Sequence, residues 1–174
     1  ETAYAAFVGV DHCIGVANGT DAVELALRAV GVGAGDEVIM PANTFIATAE
    51  AASRIGARPV PVDVDPDHLL ISPEAVAAAI TTRTKAIVPV HLFGQVAPVE
   101  AIESIAAAAG IPIVEDGAQS QGASRNGRRA GSLGRIAATS FYPGKNLGAS
   151  GDGGAVTTND PELAKQVRLM ANHG

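Results

Sequence analysis

Lys145 has surroundings typical of a lysine that takes part in chemistry. It is one of three lysines in the sequence, it lies in the turn Pro143-Gly144-Lys145-Asn146, and no acidic residue lies within four positions of it. A lysine in a desolvated site, or beside another cation, loses its proton readily and becomes a nucleophile toward carbonyl carbon. We therefore predict that Lys145 forms a covalent bond with a carbonyl compound.

A second candidate site lies in the run Asn18-Gly19-Thr20, which follows a predicted strand and opens a predicted helix. The backbone N–H groups of a first helical turn have no partner within the helix. Together with the Thr20 hydroxyl, they form a site suited to a phosphate or another anion. The alternative is that Thr20 only caps the helix.

Four more candidates follow other predicted strands. Phe45 can stack on a flat ligand, although packing in the core also explains an aromatic residue there. Asp116 ends a predicted strand, where a carboxylate is costly to bury unless a cation or several donors face it, and helix capping is its alternative role. Ser140 ends a later strand. For His91, a hydrogen-bonded structural role is favoured over a catalytic one.

The elements that position these residues are short β-branched strands that alternate regularly with alanine-rich helices. This alternation predicts an α/β fold. The predicted strands span residues 13–17, 37–40, 59–63, 86–90, 112–115, 136–141 and 154–158, and the predicted helices span 20–30, 44–55, 73–80, 99–109 and 161–171. The connection between the last two strands is too short for a parallel crossover. We therefore predict a mixed, mostly parallel seven-stranded sheet with helices on both faces, and a ligand at the carboxyl ends of its strands.

Composition excludes several classes of protein. The 174 residues carry a formal net charge of −6, which argues against a nucleic-acid partner, and 47% of them are hydrophobic, enough for one core. The longest uncharged stretch, residues 86–99, is too short to span a membrane. A single cysteine, Cys13, leaves no internal disulfide, and a cytoplasmic location is expected. No motif with convincing metal-ligand spacing is present, so no metal site is predicted.

The strand-end residues together form a set with one chemical interpretation. They comprise a phosphate cradle, a flat apolar surface, a buried carboxylate and a nucleophilic lysine. Pyridoxal 5'-phosphate requires all four, because its phosphate is anchored, its ring is stacked, its ring nitrogen is kept protonated and its aldehyde is bound by an amine. The sequence therefore predicts a pyridoxal-phosphate site.

The motifs also resemble a known family. Asn18-Gly19-Thr20-Asp21-Ala22, residues 89–94, residues 115–119, residues 140–148 and Gly151-Asp152-Gly153-Gly154 are similar, in order and spacing, to the DegT/DnrJ/EryC1/StrS sugar aminotransferases. The resemblance runs through nearly the whole chain. It implies the large, cofactor-binding domain of a fold type I aminotransferase over residues 1–174, with the family's N-terminal segment and smaller C-terminal domain lying outside this sequence.

The resemblance also implies roles for individual residues. Lys145 would bind the cofactor aldehyde and then carry a proton, and Asp116 would pair with the pyridinium nitrogen. Gln119 would hydrogen-bond the ring hydroxyl. The other cofactor-binding residues implied are Gly19, Thr20 and Ser140 at the phosphate, Phe45 over the ring, and Asn146 beside the lysine.

By the same resemblance, the expected activity is transfer of an amino group, from glutamate, to a nucleotide-linked keto sugar in deoxyamino-sugar biosynthesis for an antibiotic or polysaccharide. The expected assembly is a homodimer whose subunits share the active site. Two alternatives stay open. One is a sugar dehydratase or lyase of the same fold, although relatives that deoxygenate sugars carry histidine at the position of Lys145. The other is a non-catalytic regulatory homologue.

Overall fold

The computed structural model describes residues 1–172 and contains six α-helices and nine strands within that range. The helices are α1 (Thr2–Val8), α2 (Gly19–Ala29), α3 (Ile46–Arg54), α4 (Pro73–Ala79), α5 (Val99–Ala109) and α6 (Pro161–Met170). The strands are β1 (His12–Val16), β2 (Glu37–Pro41), β3 (Arg58–Val62), β4 (Thr84–Ile87), β5 (Val114–Asp116), β6 (Ser124–Arg125), β7 (Arg128–Arg129), β8 (Ile136–Ser140) and β9 (Gly154–Thr158). Over the described range, no helix is both long enough and apolar enough to cross a bilayer.

Seven of these strands form the main sheet. Four of them run in the order β1-β9-β8-β5 and three in the order β3-β2-β4. Parallel bridges from Ile87 to Ile113 and from Val90 to Asp116 join the two groups through β4 and β5. Only β9 runs antiparallel to its neighbours, β1 and β8. The predicted mixed, mostly parallel sheet is therefore confirmed.

The core has two layers, one on each face of the sheet. In β2, Val38 and Met40 belong to the layer that contains α2, α3 and α6, whereas Ile39 belongs to the layer that contains α4 and α5. Side chains of a strand point alternately to opposite faces, so an apolar run of this kind is buried on both sides. The prediction of helices on both faces is confirmed.

Local signals explain where several helices begin. Ser72 and Asp160 each accept hydrogen bonds from backbone N–H groups of the first turn of α4 and α6, respectively. The residue after each cap is proline, Pro73 or Pro161, which has no N–H to leave unsatisfied. The predicted starts of these two helices are confirmed.

Some predicted bounds were wrong, and some elements were not predicted. Helix α3 begins at Ile46 rather than at residue 44. Strand β4 spans Thr84–Ile87 rather than residues 86–90, and β5 begins at Val114 rather than at residue 112. Strand β5 extends to Asp116, because the backbone of this residue is paired on both sides. The Asp116 N–H donates to the Pro89 carbonyl, and the Asp116 carbonyl accepts from the His91 N–H. Helix α1 and the hairpin β6–β7 were not predicted. The hairpin turns through Asn126 and Gly127, whose φ values of 51° and 77° are those of a two-residue type I′ turn.

Candidate active site

A cavity of about 740 Å³ opens at the carboxyl ends of the main strands. Seven of the eight predicted site residues line it, namely Gly19, Thr20, Phe45, Asp116, Gln119, Ser140 and Lys145. The eighth, Asn146, is exposed and lies outside the lining. The seven residues are spread over more than a hundred positions of sequence. The sheet brings them to one edge, as expected for an α/β fold.

The anion cradle is formed where the N-terminus of α2 meets the end of β8. Asn18 is the cap of α2, since its Oδ1 accepts from the Asp21 N–H at 2.8 Å. The alternative that Thr20 caps the helix is therefore wrong, because Thr20 lies inside the first turn and lines the cavity. A methyl group on Gly19 would lie 2.6 Å from Ser140 Cβ, so only glycine allows this close approach. The helix N-terminus and two hydroxyls thus face one space, which suits a phosphate.

Asp116 lies at the base of the cavity and is 5% exposed. Its Oδ2 accepts from the Thr48 hydroxyl at 2.8 Å, and its Oδ1 accepts from the Ala118 N–H at 3.1 Å. The helix-capping alternative for Asp116 does not hold, because a turn and the β6–β7 hairpin follow it. Each carboxylate oxygen has one donor and can accept another hydrogen bond. Asp116 is therefore held in place and still able to bind a cationic N–H donor.

Gln119 is oriented by the backbone. Its Oε1 accepts from the Phe93 N–H at 2.8 Å. Because the amide oxygen faces that donor, the NH₂ group is the end of the side chain that can donate to a ligand in the cavity. This orientation suits an acceptor such as a ring hydroxyl oxygen.

Lys145 is half-buried in a tight turn beside the cavity. Its backbone N–H donates to the Tyr142 carbonyl at 2.8 Å, which closes the turn. A methyl group on Gly148 would clash with the Pro143 carbonyl oxygen, so the loop folds back closely on itself. Phe45 is 65% exposed at the rim of the cavity, which makes packing in the core the wrong interpretation of this residue.

Behind the cavity, His91 and Glu115 form a buried pair in which both side chains are 0% exposed. Glu115 accepts from His91 Nε2 at 2.8 Å and from the backbone N–H groups of Gly131, Leu133 and Gly134 at 2.8, 2.7 and 2.6 Å. Burial opposes ionisation of Glu115, but these donors outweigh it and lower the pKa of its carboxyl group. His91 Nδ1 accepts from the Ala97 N–H at 3.1 Å, so both ring nitrogens are used and the structural role predicted for His91 is confirmed.

Sequence reasoning missed several residues that line the cavity. The most important is Thr48, which is 1% exposed and contacts Asp116 directly. A usable signal was present, because Thr44 and Thr48 are four residues apart within the predicted helix 44–55, and this spacing puts two hydroxyls on one face of a helix. Tyr142, Asp152 and Arg54 also line the cavity. Arg54 is paired with Asp21 at 3.0 Å and with Glu24 at 3.1 Å.

The geometry agrees with a comparison to known protein families. The DegT/DnrJ/EryC1/StrS aminotransferase family profile matches residues 1–174. The chain belongs to this family. Among curated members, it is 53% identical to UDP-2-acetamido-2-deoxy-3-oxo-D-glucuronate aminotransferase of Pseudomonas aeruginosa and 52% identical to dTDP-3-amino-3,4,6-trideoxy-alpha-D-glucose transaminase of Streptomyces venezuelae. Both matches include 100% of this chain, but only 48% and 46% of the relatives.

The chain therefore spans about half the length of the curated aminotransferases it matches. A third member, named a pleiotropic regulatory protein, from Geobacillus stearothermophilus, is 53% identical over all 174 residues and 47% of its own length.

Solved structures of similar proteins have the same fold. DesV from S. venezuelae, crystallised with a ketimine intermediate, is 52% identical and superposes with a TM-score of 0.97 over 100% of this chain and 47% of its own. A Bacillus subtilis NtdA structure with the bound cofactor PMP is 38% identical, with a TM-score of 0.91 over 97% of this chain and 38% of its own. The fold predicted from the sequence, that of a fold type I aminotransferase, is confirmed.

Proposed function

We propose that this chain is the cofactor-binding large domain, residues 1–174, of a pyridoxal-phosphate-dependent aminotransferase that acts on a nucleotide-linked keto sugar. The observation that carries the proposal is that Lys145, Asp116, Gln119 and the α2 anion cradle line one cavity. Membership of an aminotransferase family supports the same activity.

The residues of the cavity fit the cofactor group by group. The N-terminus of α2, with the Thr20 and Ser140 hydroxyls, would hold the phosphate, and Phe45 at the rim would cover one face of the ring. Asp116 would hold the ring nitrogen, and the NH₂ group of Gln119 would face the ring hydroxyl. Asn146 is retained as a prediction, as a neighbour of the lysine. When bound, the cofactor would supply an electrophilic aldehyde and a ring that accepts electrons.

Lys145 is the residue to which we assign proton transfer. Two cationic side chains line the cavity, Lys145 and Arg54. Arg54 is paired with two carboxylates, and a guanidinium stays protonated and cannot act as a base. Of these two groups, the Nζ of Lys145 is the one that can lose its proton, and it would take a proton from the amino-acid Cα and deliver it to the cofactor carbon. Glutamate is the amino donor we propose.

The proposed assembly is a homodimer that completes the active site. Four large apolar side chains are exposed on strand-end segments: Phe45 at 65%, Ile46 at 65%, Phe93 at 70% and Tyr142 at 57%. Two of them, Phe45 and Tyr142, also line the cavity. Exposed apolar residues concentrated near one site are typical of an interface. A second copy of the chain would cover them and add residues to the cavity.

A regulatory role is the second candidate, because one relative at 53% identity carries the name of a pleiotropic regulatory protein. The presence of Lys145 in the cavity favours catalysis over that role. It also favours transamination over dehydration.

The decisive experiment is chemical trapping in the full-length protein. We expect borohydride reduction in the presence of pyridoxal phosphate, followed by peptide mass spectrometry, to place a pyridoxyl group on Lys145. The variant Lys145→Ala should lose the adduct, and Lys165→Ala, at an exposed position on α6, should keep it. Release of 2-oxoglutarate from glutamate then separates an aminotransferase from a regulator. An adduct on another residue, or none, refutes the assignment.

A further inference from the structure

We infer that Thr48 is a positioning residue that fixes the Asp116 carboxylate for contact with the ring nitrogen of the cofactor. The inference rests on the proposed function. None of the motifs that predicted the site includes Thr48, and its hydroxyl reaches Asp116 across 68 positions of sequence.

The direction of the hydrogen bonds follows from the chemistry of the groups. An ionised carboxylate only accepts, so the Thr48 hydroxyl donates to Asp116 Oδ2 across 2.8 Å. That uses the single proton of Thr48. The Thr44 hydroxyl, 3.1 Å from Thr48 Oγ1, must therefore donate to Thr48. The result is a chain of two hydroxyls directed at Asp116, in which each bond strengthens the next.

Two donors from different parts of the fold then fix the plane of the carboxylate. Thr48 lies on α3 and donates to Oδ2, whereas the Ala118 N–H lies in the turn after β5 and donates to Oδ1. Thr48 and Asp116 are 1% and 5% exposed, so water has little access to replace the hydroxyl. Hydrogen bonds to charged groups are stronger than those between neutral groups. Loss of the Thr48 donor leaves the carboxylate held at one oxygen only.

The test uses the full-length protein, the variant Thr48→Val, and two cofactors: pyridoxal phosphate and its 1-deaza analogue, which has carbon in place of the ring nitrogen. Valine has nearly the same shape as threonine without the hydroxyl. We expect Thr48→Val to weaken binding of pyridoxal phosphate about tenfold, the size of one hydrogen bond to a charged group, and to leave binding of the analogue within about twofold of wild type. Thr48→Ser keeps the hydroxyl and should restore the affinity.

The outcomes separate this inference from the proposed function. Equal losses for both cofactors would mean that Thr48 only supports the fold, and an unchanged affinity for pyridoxal phosphate would mean that it does not position Asp116; either result overturns the inference. If the wild-type protein binds neither cofactor, the proposed function itself fails. Thr44→Val, which removes only the outer hydroxyl of the chain, should give a smaller loss than Thr48→Val.

Discussion

Glu115 and Asp116 are consecutive buried carboxylates at the end of β5, and they face different surroundings. Glu115 accepts from His91 and from three backbone N–H groups. Asp116 accepts from one hydroxyl and one backbone N–H, and it lines the cavity. Alternate residues of a strand point to opposite faces, so one position in sequence separates the interior of the fold from the site.

The difference shows how the same chemical group serves two purposes. Glu115 has two donors on each oxygen, which uses its capacity, and it ties β5 to His91, in the segment after β4, and to the segment 131–134. Asp116 has one donor on each oxygen and keeps capacity for a ligand. We conclude that Glu115 stabilises the fold, and we assign Asp116 to the chemistry. Matched isosteric substitutions can test this division.

The largest expected effect is the loss of activity in Asp116→Asn. The amide can keep the hydrogen bond from the Ala118 N–H through its oxygen, and the Thr48 hydroxyl can rotate to accept from its NH₂ group. The free energy of unfolding should therefore change by less than about 1 kcal/mol. If the proposed function is right, turnover of glutamate by the full-length protein should fall about 100- to 1000-fold, because the negative charge proposed to face the ring nitrogen is gone. A large loss of stability with normal turnover would contradict the division.

The reverse is expected for Glu115→Gln. Both oxygens of Glu115 face at least one backbone N–H, so neither orientation of the amide avoids a contact between two donors. Urea denaturation should show a free energy of unfolding lower by about 2–4 kcal/mol, with turnover nearly unchanged well below the transition. Glu103→Gln, at an exposed position on α5, is the matched control and should stay within about 0.5 kcal/mol of wild type.

Gly19→Ala should lower the stability less than Glu115→Gln does, and it should also disturb the anion cradle of the candidate site. The added methyl would lie 2.6 Å from Ser140 Cβ and 2.9 Å from its Oγ, which forces the two segments of the anion cradle apart. We expect a stability loss of about 1–3 kcal/mol, as for overpacking, together with weaker binding of pyridoxal phosphate. Gly33→Ala is the control, because its methyl would meet nothing within 4 Å. Equal cofactor affinity in the two variants would argue against a phosphate at α2.

The smallest effect expected is the pH dependence that Glu115 contributes. Burial raises the pKa of the Glu115 carboxyl, but the contacts with His91 and the hydrogen bonds from Gly134 and Gly131 outweigh burial, so this pKa lies below its ordinary value of 4.5. As the pH falls, the unfolded state therefore binds the proton before the folded state does. The contribution of ionised Glu115 to the free energy of unfolding is complete above about pH 4.5 and is lost as the pH falls through the lower pKa of the folded state. The difference in unfolding free energy between wild type and Glu115→Gln should shrink as the pH is lowered below 4.5. A constant difference down to pH 3 would be inconsistent with an ionised Glu115.

Much of the fold was predictable because its signals are local. All seven strands of the sheet were predicted, although the bounds of β4 and β5 were misplaced by up to three residues. Pro73 and Pro161 marked the starts of two helices. The Asn126-Gly127 pair carried an equally local signal for the hairpin that was not used. The start of α3 was misplaced because Phe45, which precedes it, makes no side-chain cap hydrogen bond.

The candidate site was predictable where the type of a residue by itself indicates its chemistry. Lysine and aspartate at the ends of strands of a parallel sheet have to meet at one edge, and Lys145 and Asp116 do line one cavity. Thr48 was missed because a threonine within a helix is unremarkable until its partner is known. Thr20 was considered as a cap although Asn18, two residues earlier, takes that position.

The sequence by itself determined the order along the chain of the seven main strands and of helices α2 to α6, the mixed sheet and the residues able to do chemistry. Hydrophobic periodicity, turn residues and side-chain reactivity act over a few neighbouring positions, which is why they can be interpreted from sequence. Only the tertiary structure decided which of two adjacent carboxylates is saturated and which is open to a ligand. That choice depends on donors brought by packing from distant segments, as between Thr48 and Asp116, 68 residues apart.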